Sequence, residues 1–343
     1  MSDLLFNKVY GCLLGGIVGD AMGAPAENMN YGEIEEKFGW IEDFEGEGTD
    51  DSAIKMILCE ALLENEGQVT ADEFAESFLR NKDKYYNIFY TPVRNMLHKV
   101  ESKLSLPVHA GYGNMHSSSS AMSISPMGLV NACNPRQAAM ETFDVAGLIH
   151  SGDSGFCRDG ACAMAAAVAE AMKPAATVAS ILEASTAYLH KTSAREMSDC
   201  ILETLRMAEA AGDYKKFRVA FYQKNLRDIS PDSRETVPCA LSLFYLSNGD
   251  PIQSIIYSAN FGRDSDTIGT MAGALAGAYK GIGGLKPEWV AKAEGSFAQK
   301  NEKGTGSGES AQAKLARSII DIIKIKTAKQ KACIDMFAEL AER

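Results

Sequence analysis

Gly11, Gly15, Gly19 and Gly23 stand at every fourth position of a largely apolar segment that begins at Val9. Residues four apart lie one above another on a helix, so these glycines form one stripe that carries no side chains. A bare stripe lets a second backbone come close, which suits a helix packed inside a helical assembly. The Gly-x-x-x-Gly spacing signals membrane dimerisation only inside a long apolar span. Here Asp20 interrupts the segment, and no run approaches the ~18 consecutive apolar residues of a membrane helix. Residues 9–18, behind Lys8, are the one candidate for a secretory leader. They are Gly-rich, short and continue into a helical pattern past Asp20, so a leader is not expected.

Helical periodicity dominates the rest of the 343 residues. Ile54, Ile57, Leu58, Ala61 and Leu62 share one face behind Thr49-Asp50-Asp51, with Gly67 as the stop. Thr70 and Glu73 form a capping box, after which Phe74 and Phe78 share a face. Further helices are predicted over 135–148, 160–172, 178–189, 196–211, 237–246 and 252–259. Residues 267–279 are small and apolar on every face, so they must cross the core. Only residues 40–44 offer a short extended piece. The expected fold class is all-α, with many helices packed around a central one.

The loops divide the chain. Residues 109–125 are rich in Gly and Ser and too long for an idle connection. Residues 301–310 read as a flexible linker, followed by one or two amphipathic helices over 313–343. The expected organisation is a helical domain at 1–298, a linker at 299–310 and a C-terminal helical extension at 311–343. That extension is a candidate oligomer or partner surface.

Composition removes several functions. A net charge of -11 argues against nucleic acid, whose phosphates demand a basic face. The eight cysteines are scattered, with no Cys-x-x-Cys and no zinc spacing. That pattern fits a reducing cytoplasm better than a secreted disulfide framework.

Two acidic segments carry the chemistry. Thr49, Asp50 and Asp51 precede one strongly apolar helix, and Asp264, Asp266 and Thr267 precede another some two hundred residues later. Asp and Thr cap helix N-termini, which accounts for one side chain per helix. Four carboxylates brought together in a core repel one another unless cations neutralise them. Hard divalent ions such as Mg²⁺ or Mn²⁺ favour all-oxygen ligands. The pattern alone leaves capping and metal binding both open. Asp264-Ser265-Asp266 starts like a calcium loop, but Ile268 and Leu275 occupy positions where ligands are required. No P-loop, dinucleotide fingerprint, His-Asp pair or Gly-x-Ser-x-Gly elbow occurs.

Residues 11–27 (GCLLGGIVGDAMGAPAE), 48–52 (GTDDS) and 262–281 (GRDSDTIGTMAGALAGAYKG) resemble, in order and spacing, the three signature blocks of the ADP-ribosylglycohydrolase family. That family includes the dinitrogenase reductase-activating glycohydrolase-like proteins. Weaker blocks also match, among them Tyr112-Gly113-Asn114, Ala121-Met122, Leu148-Ile149-His150 and Glu235-Thr236-Val237-Pro238. The resemblance implies an all-α orthogonal multi-helix bundle around a central dinuclear metal site. It implies Thr49, Asp50, Asp51, Asp264, Asp266 and Thr267 as ligands of two Mg²⁺ ions, with Mn²⁺ as a substitute. It implies hydrolysis at C1″ of an ADP-ribosyl group, small or protein-linked, with Asp51 and Asp266 essential and Glu27 on a mobile loop over the site. Asn114, Met122 and His150 match segments around the substrate's phosphate and ribose.

The sequence departs from the family where it surrounds the substrate. Arg263 and Ser265 intrude into a block usually written Gly-Gly-Asp-Thr-Asp, Ser123 replaces an Arg after Met122, and residues 115–118 are extra. Arg263 either pairs with one of the site's own acids or selects an anionic or carbonyl group on the substrate. The departures open two alternatives: a hydrolase of a smaller N-riboside or nucleoside, and a non-catalytic ADP-ribose-binding protein. The intact acidic segments count against the second.

Overall fold

The structure, a computed structural model, describes residues 4–301 and 310–342. Most of the linker expected at 299–310 therefore lies outside the described residues. Helices account for every regular element among the described residues, as the periodicity requires. The first half holds α1 (Leu4–Gly23), α2 (Tyr31–Phe38), α3 (Asp50–Glu64), α4 (Ala71–Tyr85), α5 (Thr91–Glu101), α6 (Pro107–Ala110), α7 (Ser125–Val130) and α8 (Pro135–Gly147). The second half holds α9 (Gly155–Ala171), α10 (Val178–Ala187), α11 (Arg195–Ala211), α12 (Tyr214–Lys224), α13 (Ser233–Leu246), α14 (Pro251–Ala259), α15 (Ser265–Lys280), α16 (Pro287–Asn301) and α17 (Ala311–Ala341).

The glycine stripe on α1 finds its partner on α15, which carries a matching stripe. A Cβ on Gly15 would lie 2.2 Å from the Gly273 carbonyl oxygen, and one on Gly19 would lie 2.0 Å from that of Gly269. Gly11 meets Gly277 and Gly23 meets Ser265 in the same register, so the two helices run antiparallel with their backbones touching. Ser265 Oγ closes the seam by donating to the Gly23 carbonyl at 2.9 Å. Leu4–Ala26 is long and apolar enough to cross a membrane by length and composition, yet 89% of its apolar window is buried inside the protein.

Several local expectations are refined. The Thr70–Glu73 capping box forms, and the Phe74 and Phe78 rings sit 4.6 Å apart. Helix α13 starts four residues ahead of the expected 237, because Asp232 caps it by accepting from the Arg234 amide at 2.8 Å. Residues 40–44 form no strand; the Asn260 side chain satisfies the Ile41 amide and carbonyl at 2.9 and 2.8 Å. The C-terminal segment is one continuous helix. Its first half buries Ala313, Ala316, Ile319, Ile322 and Ile323 in the common core, and Lys326 pairs with Glu141 at 2.5 Å. Its second half leaves the body, exposing Ile334, Phe337 and Leu340.

Candidate active site

The antiparallel seam delivers the C-terminal end of α1 and the N-terminal end of α15 to one place, and α3 begins there too. Asp20, fully buried near the end of α1, makes this junction. Its carboxylate accepts from the amides of Thr49 at 2.9 Å and Ser52 at 3.0 Å, and from the Ser52 hydroxyl. Asp20 therefore anchors the first turn of α3 and aims Asp50 and Asp51 at α15. The sequence reading missed this role. Its only signal was a lone acid within the glycine stripe.

Capping explains little of the acidic cluster. Thr49 does cap α3, accepting from the Asp51 amide at 3.3 Å. Asp264 occupies the corresponding position on α15 but makes no side-chain cap bond. Its Oδ2 accepts instead from the Ser118 hydroxyl at 2.9 Å. Asp50 Oδ2 accepts from the Tyr90 amide at 3.1 Å. Asp51 Oδ2 lies within hydrogen-bond reach of the hydroxyls of Thr49 (3.3 Å) and Thr267 (3.4 Å). The other oxygens, Asp51 Oδ1 and Asp266 Oδ1, are buried and have no hydrogen-bond partner. Carboxylate oxygens of Glu27, Asp264 and Asp266 converge to within 4.8 Å of one another.

Such crowding shifts every acid in one direction. Burial pushes Asp50 and Asp264 up to about 7. Burial, reinforced by the Asp266 charge, drives Asp51 well above the carboxylate range, and burial with the Asp264 charge does the same to Asp266. Glu27 is raised as well, chiefly by burial. A cluster of this kind holds protons at neutral pH unless cations take their place.

The acids form the floor of a cleft of about 860 Å³. Glu27, Thr49, Tyr90, Met122, Ser230 and Arg263 line it with them. Met122 Sδ lies 3.9 Å from the Thr267 hydroxyl. The loop carrying Glu27 is tied down: the Asn28 amide donates to the Arg263 carbonyl at 2.6 Å and the Arg263 amide to that of Met29 at 2.7 Å. Two backbone bonds thus join the Glu27 loop to the residue before α15.

Arg263 lines the cleft, yet its guanidinium faces the wall. Nε and Nη2 donate to the two carboxylate oxygens of Glu235 at 2.7 and 3.0 Å, and Nη2 also reaches the Arg227 carbonyl at 2.7 Å. The partner is Glu235 of the matching block 235–238, fully buried on α13. Of the two roles open to Arg263, a pair with one of the site's own acids does not form.

Asn114 and His150, expected at the substrate, stand behind the wall and do not line the cleft. Asn114 Nδ2 donates to the carbonyls of Pro92 and Ile149 at 2.8 and 2.9 Å. His150 is fully buried between the hydroxyls of Ser117 (3.2 Å) and Ser120 (2.8 Å). Burial holds it down to about 3, so it is a neutral hydrogen-bonding post. His150 thereby holds the serine run 117–120, from which Ser118 and Ser119 reach the cleft. Those serines were missed individually, although the length of their loop marked it.

Comparison with known proteins bears on the family and the fold. A family model described as ADP-ribosylglycohydrolase matches residues 1–322. The chain is 26% identical over 309 residues to the uncharacterized protein YegU of Escherichia coli (strain K12), covering 82% of this chain and 90% of that one. It is 26% identical over 300 residues to the ADP-ribosyl-[dinitrogen reductase] glycohydrolase of Rhodospirillum rubrum, covering 83% and 90%. It is 24% identical over 327 residues to the ADP-ribosylhydrolase ARH3 of Homo sapiens, covering 84% and 90%. A solved structure titled an ADP-ribosylglycohydrolase-related protein complex superposes with a TM-score of 0.68 at 20% identity, covering 94% of this chain and 100% of that one, and shares the fold.

Proposed function

Because the chain belongs to the ADP-ribosylglycohydrolase family of glycosidic-bond hydrolases, we propose that its cleft hydrolyses a ribosyl bond at C1″ of an ADP-ribosyl compound with the help of two divalent cations. Thr49, Asp50, Asp51, Asp264, Asp266 and Thr267 would hold Mg²⁺ or Mn²⁺. The observation that carries this is the pair of orphaned, buried oxygens, Asp51 Oδ1 and Asp266 Oδ1, beside converging carboxylates. Hard oxygen donors without protons to receive suit a hard cation. Bound there, such ions supply Lewis acidity and lower the pKa of a coordinated water.

The chain's own groups do the rest. Glu27 reaches the site from the rim, and its raised pKa suits a base that takes a proton from water and returns it to the leaving group. In the net reaction the C1″ bond to the leaving group breaks, a C1″–O bond to water forms, and the departing atom gains a proton. The Asn28–Arg263 and Arg263–Met29 bonds hold Glu27 beside Asp264 and Asp266. The cleft volume falls within the range of about 300–1,000 Å³ usual for small-molecule sites. Arg94 is the cleft cation with no carboxylate partner, and it suits one end of a diphosphate.

One observation favours a second reading. Arg263 is committed to Glu235, so a diphosphate would meet few free cations. A smaller N-riboside or nucleoside needs none. The free cysteines support a reducing, cytoplasmic setting for either substrate. A hydrolysis panel tests both readings, using ADP-ribosyl-arginine, ADP-ribosyl-serine, O-acetyl-ADP-ribose and simple nucleosides, each with Mg²⁺ and with EDTA. Turnover of an ADP-ribosyl compound that EDTA abolishes is expected. Turnover of nucleosides alone selects the second reading, and full activity in a metal-free preparation overturns the metal assignment.

A further inference from the structure

One buried cation lies beneath the acids and is used by nothing described so far. Lys55 sits on α3 one turn beyond Asp51, fully buried, and its ammonium has no hydrogen-bond partner. An ammonium carries three donors, so burying one unbonded is costly unless nearby charge compensates it. The room for it comes from α1: a Cβ on Gly16 would lie 2.3 Å from Lys55 Nζ. Gly16 is off the seam stripe and is one turn before Asp20. The missing side chain there forms a notch that admits the ammonium to the α1–α3–α15 junction. Burial pushes the Lys55 pKa down, and the charges of Asp20 and Asp51 oppose that shift; Cys12 and Cys59 are the other titratable groups around it. Burial pushes both thiols up to about 12, which leaves them neutral. The charges Lys55 meets are therefore the acid that anchors α3 and an acid of the cluster itself.

We propose that Lys55 is the resident counter-cation of this site, holding the carboxylates together when no metal is bound and opposing the metal ions that enter. The inference rests on the cation-binding reading above and adds a positioning residue to it. Wherever the acids ionise, a positive charge on Lys55 lowers the repulsion among Asp20, Asp51 and their neighbours, against the burial that disfavours the charge itself. The same charge repels a divalent ion above it. Lys55 thus makes the site tolerable when empty and moderates its affinity, so that cations bind reversibly.

The test measures binding and stability, separately from turnover. Lys55→Met, of similar volume without charge, is compared with the wild-type chain by calorimetric titration with Mg²⁺ and Mn²⁺. Thermal unfolding is followed in EDTA and in saturating Mg²⁺. The variant is expected to bind the ions about tenfold more tightly. Its midpoint should fall by roughly 5 °C in EDTA and recover in Mg²⁺. A variant that folds only when Mg²⁺ is present supports the proposal in stronger form. If Lys55→Met folds under neither condition, Lys55→Gln carries the same comparison. Unchanged or weaker metal affinity in a folded variant overturns the role of Lys55 alone. A wild-type chain that binds neither ion overturns the metal reading and this inference with it.

Discussion

The α1–α15 pair obeys opposite rules at its middle and at its end. Along the middle, Gly11, Gly15 and Gly19 meet Gly277, Gly273 and Gly269 with nothing between the backbones. The stripe itself carries no side chain, so the contact along it is dispersion between two closely fitted surfaces. One turn beyond, the same helices present Asp20, Asp264 and Asp266 to one another and to Asp51, where electrostatics opposes assembly. The seam fixes the separation at which the acids must coexist. A looser interface would let them drift apart and become ordinary solvated caps.

The largest effect should come from breaking the seam. Gly273→Val places a branched side chain where even a Cβ would lie 2.2 Å from the Gly15 carbonyl oxygen. Overpacking of this kind costs about 3 kcal/mol or more when backbone cannot yield. The expected result is an unfolded or aggregated chain by circular dichroism, in EDTA and in Mg²⁺ alike.

Asp266→Asn attacks the other end and should separate activity from folding. Turnover is expected to fall by about 10³-fold or more, because a ligand charge is lost. The metal-free midpoint should stay level or rise, since one of the repelling buried acids has gone. A lower midpoint in EDTA would mean that the cluster stabilises the fold and that the contrast is misdrawn.

Glu27→Gln is a milder probe at the cleft's rim. It should cut turnover by about 10²-fold, as for a lost proton-transfer group, while metal content measured after gel filtration is unchanged. Wild-type turnover would reduce Glu27 to a loop charge.

The smallest effect is graded and reads out in pH. Asp50 and Asp264 are held at about 7 in the folded protein, above their unfolded value of about 3.9. The folded chain therefore binds more protons between these values. Stability from this source is complete below about pH 4 and is lost as pH rises through about 7. In EDTA the midpoint should fall from pH 5.5 to pH 8, and saturating Mg²⁺ should flatten that slope. A rising midpoint in EDTA would contradict the shifts.

Much of this was legible in the chain, and what was not has physical reasons. The glycine period pointed to a close helix contact, and the two acidic segments, open between capping and metal binding as a pattern, do meet in one cleft. Pairing the stripe with α15 was beyond periodicity, because a glycine stripe names a kind of neighbour without naming the neighbour. Asp20 was hidden because its importance lies in what it accepts, the amides of Thr49 and Ser52, and backbone donors leave no mark on a sequence. Arg263 was placed correctly in the cleft but aimed wrongly, since Glu235 sits on a helix whose start was read four residues late. Asn114 and His150 were assigned to the substrate by their segments. Their hydrogen bonds place them in the wall behind it.

The reciprocal bonds between Arg263 and residues 28 and 29 act as a buckle between two distant stretches of chain. Arg263 fastens it in a left-handed conformation (φ 62°), which a side chain of this size adopts at a cost. Its Glu235 pair steadies that posture from behind. Because the buckle joins the Glu27 turn to the N-terminus of α15, the two are expected to move together. Hydrogen exchange at the Asn28 and Arg263 amides should be as slow during turnover as at rest, and the protein should work as an open-mouthed vessel with a rigid lip.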